Sequence, residues 1–219
     1  MEKNQMNVLM FGPPGSGKGT QSRILSNYLK NTSIVSMGDL LRIEVDGNTK
    51  IGKEIQSTIK NGKLVDDNLV CEVLLSHLSK VKGDFLLDGF PRNLQQAYFL
   101  TDFLKMFSYD IDVVIQLELC VDVAEKRLLG RVLCKKCGQV LNLNFLTREN
   151  GKKSCNNCGS VELIRRADDD VEIIRSRIEK YNSEIYGLME YYKGKVIRID
   201  ANRLIHEVSQ DIKDKIHYL

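Results

Sequence analysis

The chain has 219 residues, of which 42% are hydrophobic and 28% charged, and its formal net charge is +3. That balance suits a globular domain with a sizeable core. It excludes a disordered chain and, with 16 Gly and 3 Pro, a collagen-like or low-complexity one, and the charge is too mild to imply a nucleic-acid footprint. No apolar run nears the ~20 residues a membrane span needs, and residues 8–11 are too few for a signal peptide, so a cytoplasmic setting with reduced thiols is expected.

Short apolar runs rich in Val and Ile recur at 7–11, Ser33–Ser36, Phe85–Asp88, 113–119 and Val196–Asp200. Continuous apolar strands alternating with helical stretches predict a parallel sheet covered on both faces. Gly12-Pro-Pro-Gly-Ser-Gly-Lys-Gly-Thr20 follows the first run and precedes a helix-like stretch over 22–29. It fits the G-x-x-x-x-G-K phosphate-binding loop, with Gly19 where the strict pattern has Ser or Thr, and Thr20 next. Glycines there let the loop curl so that N–H groups and the following helix N-terminus face phosphate oxygens, while Lys18 adds a full charge.

Residues 38–62 read as helical but polar, with Gly47, Gly52 and Gly62 as breaks. A polar stretch from about 133 to 164 has no helical period and holds Cys134-x-x-Cys137 and Cys155-x-x-Cys158, with 17 residues between the pairs. Two such pairs fit a closed tetrahedral zinc site; a redox pair or unligated thiols are the other readings. Cys71 and Cys120 stand alone among apolar neighbours and are expected to be buried thiols. Beyond the insertion, Val171, Ile174, Ile178, Tyr181, Ile185, Leu188 and Tyr192 fall at steps of three and four, which predicts a helix over 169–192 with one core-facing stripe. His77, His206 and His217 show no ligand or base spacing and are expected at the surface.

Several segments, in order, resemble the adenylate kinase family. The loop Gly12 to Thr20 with Gln21 is similar to that family's opening. Ser36-Met-Gly-Asp-Leu-Leu-Arg42, Gly62-Lys-Leu-Val65, and Asp88-Gly-Phe-Pro-Arg92 with Gln96 resemble its monophosphate-site segments. Arg127 and Arg131 match the entry to the family's lid, and Arg166, Asp168, Asp169 and Arg177 its exit. The pattern departs at Met37 for Thr, at Leu141 for an aromatic residue and at Ala201 for Gly.

The resemblance implies an α/β fold of the P-loop NTPase type, a five-stranded parallel sheet flanked by helices. It implies a core of 1–35, 66–130 and 168–219, a monophosphate-binding segment of 36–65 and a zinc-binding lid of 131–167. It implies reversible transfer of the terminal phosphoryl group of MgATP to AMP by a monomer, with Mg²⁺ accompanying ATP and a structural Zn²⁺ on Cys134, Cys137, Cys155 and Cys158. Carried over by position, Gly15, Ser16, Gly17, Lys18, Gly19, Thr20, Arg131, Val140, Leu141 and Arg203 would bind ATP. Met37, Arg42, Lys63, Leu64, Val65, Gly89, Phe90, Pro91, Arg92, Gln96, Arg166 and Arg177 would bind AMP. Lys18, Asp88, Arg92, Arg127, Arg131, Arg166 and Arg177 would serve the transfer itself, Asp88 by ordering water around Mg²⁺. Two other readings stay open: a kinase for UMP, CMP or GMP, and a P-loop ATPase using a zinc ribbon on nucleic acid.

Overall fold

The computed structural model describes residues 6–30, 32–60, 65–146, 148–149, 152–166 and 169–217. Lys63 and Leu64, like Gly62 and Asp168, lie outside them. The elements run β1 (Val8–Phe11), α1 (Lys18–Leu29), β2 (Ser33–Ser36), α2 (Met37–Asp46), α3 (Lys50–Lys60), α4 (Asp67–Leu78), β3 (Phe85–Asp88), α5 (Leu94–Met106), β4 (Val113–Glu118) and α6 (Val121–Leu129). They continue with β5 (Arg131–Cys134), β6 (Val140–Asn142), β7 (Arg148–Glu149), β8 (Lys152–Lys153), β9 (Leu163–Ile164), α7 (Val171–Tyr191), β10 (Val196–Asp200) and α8 (Ile205–His217).

Five strands form one parallel sheet in the order β10-β4-β1-β3-β2. The central strand β1 shows why both faces must be covered. Leu9 and Phe11 enter one apolar cluster with α4 and α5, and Val8 and Met10 enter another with Leu25 and Leu29 of α1 and Val208 and Ile212 of α8. A strand buried on both sides needs an unbroken apolar run, which is what its sequence supplies. Ile174 and Ile178 of α7 pack on Ala124 and Leu128 of α6, while Val171, the first residue of the expected stripe, stays exposed.

Register places the strand ends level. Met10 and Ser36 both pair with Asp88, and Phe11 pairs with Gln116. The loops carrying Gly12, Gly89 and Cys120, and the start of α2 at Met37, therefore leave one edge of the sheet, the carboxyl edge where open α/β sheets take ligands.

Three expectations are corrected. Gly47 ends α2 as its C-cap, but Gly52 sits inside α3. A Cβ at Gly52 would run into the Glu44 carbonyl of α2, so the missing side chain lets the two helices touch rather than breaking one. Cys71 is buried as expected, but Cys120 is exposed, because it is the N-cap of α6 at the sheet edge and not part of β4. The expected first helix also begins earlier, at Lys18. His77, His206 and His217 are exposed.

The cysteine-rich stretch forms an antiparallel sheet in the order β6-β5-β9, with the short ribbon β7-β8 beside it. Its buried set is small: Val132, Cys134, Leu141 and Cys155. No helix among the described residues is long and apolar enough to cross a membrane.

Candidate active site

The site begins with how α1 starts. Ser36, Asp66, Asn93 and Asp170 cap α2, α4, α5 and α7 through their side chains. The N-cap of α1 is Gly17, at φ 90°, with no side-chain cap and no acidic residue in its first turn. An uncapped N-terminus keeps its partial positive charge and its N–H groups available to an anion. Gly15 has φ +83°, and a Cβ on it would lie 2.9 Å from the Ala124 carbonyl oxygen, so glycine is required for the loop to seat against α6.

Lys18 folds back over this loop. Its Nζ donates to the carbonyl oxygens of Gly12 at 2.7 Å and Pro13 at 3.1 Å. The stem is partly accessible but the ammonium is enclosed, and this desolvation lowers its pKa from 10.5 to about 8. Asp88 opposes the shift, while the positive charges of Arg92, Arg177 and Arg131 add to it. The fold has thus brought together five groups from β3, the loop after it, α1, β5 and α7.

Asp88 closes the far side of the loop. Its carboxylate would stand 3.5 Å from a Cβ on Gly19. Burial pushes its pKa up, Lys18 offsets part of that, and Asp39 adds to it. Asp39 in turn pairs with Arg42. A half-buried carboxylate beside a phosphate-binding loop suits Mg²⁺, a hard cation that takes one or two carboxylates and keeps phosphate and water oxygens.

Asp169 organises the arginines. Arg131 Nε donates to Asp169 Oδ2 at 2.8 Å, a second guanidinium nitrogen reaches Oδ1, and Arg177 Nη1 lies 4.0 Å from the same carboxylate. Asp169 figured in the sequence pattern with no role assigned; what holds two arginines here is a carboxylate with only 3% of its side chain exposed. Arg127 Nη2 donates to the Arg203 carbonyl at 3.4 Å, which joins a residue expected to serve the transfer to one expected to bind ATP. Val140 is exposed on β6, and Leu141 points into the small cysteine-lined cluster.

On the monophosphate side, Met37 and Phe90 are each 1% exposed and belong to the main core, so they floor the site from beneath. Pro91 is buried beside them, and Val65 packs on the same cluster. Arg92 Nε donates to the Gly89 carbonyl at 2.9 Å. Gln96 is held at both ends of its amide: Oε1 accepts from the Arg92 N–H at 2.8 Å, and Nε2 donates to Asp67 Oδ1 at 2.6 Å. Asp67 and Asn93 were not among the expected site residues; Asn93 meets Gln96 through the local cap of α5, and only the fold brings Asp67 to it.

The four cysteines converge. Their sulfur atoms all lie within 4.8 Å of one another, with Cys134 and Cys158 at 3.5 Å and Cys137 and Cys155 at 3.7 Å. Four sulfurs around one tetrahedral zinc at ~2.3 Å are spaced about 3.8 Å apart, so the set fits that ion. The Gln139 N–H and the Asn157 amide hold the Cys137 thiol low, while its cysteine neighbours push Cys158 up, so without a cation the cluster favours a thiolate at Cys137 and a thiol at Cys158.

A glycine loop on an uncapped helix, one enclosed lysine and arginines gathered by a buried carboxylate define a P-loop phosphotransferase. The adenylate kinase family model matches residues 10–197. An adenylate kinase of Wolbachia pipientis subsp. Culex pipiens (strain wPip) is 44% identical over 214 residues, 96% of this chain and 98% of the relative. Those of Syntrophomonas wolfei subsp. wolfei, at 36% over 219 residues, and Thermococcus onnurineus, at 34% over 216, each align with 98% of this chain, and with 100% and 95% of their own lengths. The chain belongs to the adenylate kinase family and has that family's phosphotransferase activity, in which ATP and AMP are the substrates.

Proposed function

We propose that AMP is preferred to other nucleoside monophosphates as acceptor, and that the groups around Lys18 carry out the transfer. The carrying observation is that Lys18, Asp88, Arg92, Arg131 and Arg177 meet at the carboxyl edge of the sheet. Phosphoryl transfer spreads negative charge over oxygens in flight and leaves little covalent work to the protein. Positioned cations therefore do most of the work.

In this reading Gly15 to Thr20 wrap the ATP phosphates with backbone N–H groups. Lys18 leaves its loop carbonyls for phosphate oxygens. Arg42 and Arg92 hold the AMP phosphate, and Arg131, Arg166 and Arg177 neutralise the phosphoryl group between donor and acceptor. Arg127 and Arg203 flank the ATP side. Asp88 would hold Mg²⁺ through ordered water, and the ion would offset charge on the ATP phosphate oxygens. An oxygen of the AMP phosphate attacks the terminal phosphorus in line as the bond to the ADP oxygen breaks. The two products are both ADP.

The divisions 36–65 and 131–167 are read as segments that close over the substrates and exclude water. The metal on the four cysteines is read as one structural zinc: four thiolates leave no open position, so it activates no water. The protein is read as a cytoplasmic monomer. ADP formation from MgATP with AMP, CMP, UMP and GMP as acceptors tests the central reading. AMP should give the highest kcat/KM, and UMP or CMP exceeding it would overturn the assignment.

A further inference from the structure

Gln96 belongs to a hydrogen-bonded cluster in which every donor and acceptor is forced. Asn93 Oδ1 accepts from the Gln96 backbone N–H at 2.9 Å, which caps α5 and fixes the Asn93 amide. Asn93 Nδ2 must then face Asp67, and it donates to Oδ2 at 2.7 Å. The other carboxylate oxygen takes Gln96 Nε2, while Gln96 Oε1 takes the Arg92 backbone N–H. A backbone N–H only donates and an ionised carboxylate only accepts. Reversing the Gln96 amide would set N–H against N–H at Arg92 and oxygen against oxygen at Asp67. Gln96 itself is 3% exposed, so water offers little relief for either mismatch.

A primary amide carries two N–H donors and two lone pairs, and these bonds use one of each. What is left is one donor and one acceptor of fixed sense. A 6-amino purine offers a ring-nitrogen acceptor beside an amino donor. A 6-oxo purine offers the opposite, an N–H donor beside a carbonyl acceptor. A freely turning glutamine serves either, but one held in a single sense serves only one.

We propose that Asp67 is a specificity-setting positioning residue: by accepting from Gln96 Nε2 it completes, with the Arg92 N–H, the lock on the sense of that amide, so that the acceptor site takes a 6-amino purine monophosphate over its 6-oxo counterpart. This rests on the reading of Gln96 as part of the AMP site. It makes discrimination a property of a carboxylate that touches no substrate.

The cluster supplies its own test. In Asp67→Asn, position 67 has one acceptor and one donor, yet it faces two donors, Asn93 Nδ2 and Gln96 Nε2. In part of the population the Gln96 amide is then held by the Arg92 N–H alone, and its sense is less firmly fixed. Adding Asn93→Asp repairs the pattern. The amide oxygen introduced at position 67 takes Gln96 Nε2, and the amide nitrogen beside it donates to the carboxylate introduced at position 93. That carboxylate still caps α5. IMP is the probe, because it matches AMP in shape and differs in the sense of the purine edge. The ratio of kcat/KM for AMP to that for IMP should fall about tenfold in Asp67→Asn, through the acceptor KM, and return in the double variant, as expected for one unmatched buried hydrogen bond. The KM for ATP should not follow it. Asp67→Leu, which offers no acceptor to either donor, should show the same loss and stands in if Asp67→Asn does not fold. An unchanged AMP-to-IMP ratio in a folded variant, while Gln96→Leu abolishes it, overturns the lock and leaves the AMP reading standing. A wild-type protein that uses CMP or UMP better than AMP overturns that reading itself.

Discussion

Strands β1 and β5 are each four residues long; β1 ends at the glycine loop and β5 begins at Arg131. In β1 every side chain is buried, with helices packed on both faces. In β5 burial alternates, and the buried residues Val132 and Cys134 meet only Leu141, Cys155 and a few partly covered neighbours. The first strand is held by apolar area that a whole domain supplies. The second lies in a piece too small for that, where cysteines take half the places in the buried set. A small segment that cannot bury enough surface needs a metal or a covalent staple.

The sharpest way to break this comparison is to remove the zinc proposed for the four cysteines. Chelation, or Cys155→Ser, should melt the cysteine-rich lid on its own while the parallel sheet persists, since structural zinc commonly supplies on the order of 10 kcal/mol of folding free energy. Calorimetry should show two transitions where the loaded protein shows one. Activity should fall with them, because Arg131 and Arg166 bracket the lid. A lid unmoved by confirmed metal loss would mean that burial holds both regions.

The converse experiment truncates apolar residues. Leu87 in β3 is 0% exposed, and Leu87→Ala should destabilise the sheet by about 2–5 kcal/mol without altering zinc content. Leu141→Ala in the lid should cost less than that, with melting still set by the metal.

Lys18 sharpens the contrast through pH. Its folded pKa is about 8 against 10.5 when solvated, so the folded chain binds this proton less tightly than the unfolded one. The penalty is complete below about 8, fades between about 8 and 10.5, and is gone above. Sheet stability should therefore gain roughly 2–3 kcal/mol from this group across that window, and the lid transition should not share it. Lys18→Met should stabilise the sheet at pH 7 and lower kcat ~100-fold, as a lost electrostatic stabiliser of the transition state does. In the wild type, kcat/KM for ATP should decline above about pH 8, and kcat should hold to higher pH, since bound phosphate favours the ammonium. A Lys18→Met protein with normal kcat would separate the enclosed charge from catalysis.

How much of this was legible in the sequence follows from the range of the forces involved. Ser33–Ser36, Phe85–Asp88 and Val196–Asp200 have the expected bounds because a doubly covered strand advertises itself as an apolar run between turn residues. The phosphate loop was legible because its chemistry is local to a short run, Gly12 to Thr20. Gly52 misled because the same absence of a side chain serves a helix break and a close helix contact, and only the position of the Glu44 carbonyl tells them apart. Cys120 misled because apolar neighbours surround it in sequence but not in space. Asp67 and Gln96 are 29 residues apart, and nothing periodic joins them; their bond is a consequence of α4 and α5 meeting.

Asp169 gives the resting site a character of its own. It already occupies Arg131 and lies beside Arg177, as Asp88 lies beside Lys18. A ligand entering here exchanges places with a resident counter-ion and does not meet bare charge. A small monoanion gains from Arg131 little more than Asp169 already provides. Only a chain of phosphates that engages Arg131, Arg177 and Lys18 at once recovers more than it displaces. On this geometry the carboxylate would set a threshold on charge density that a polyphosphate clears and a simple monoanion does not.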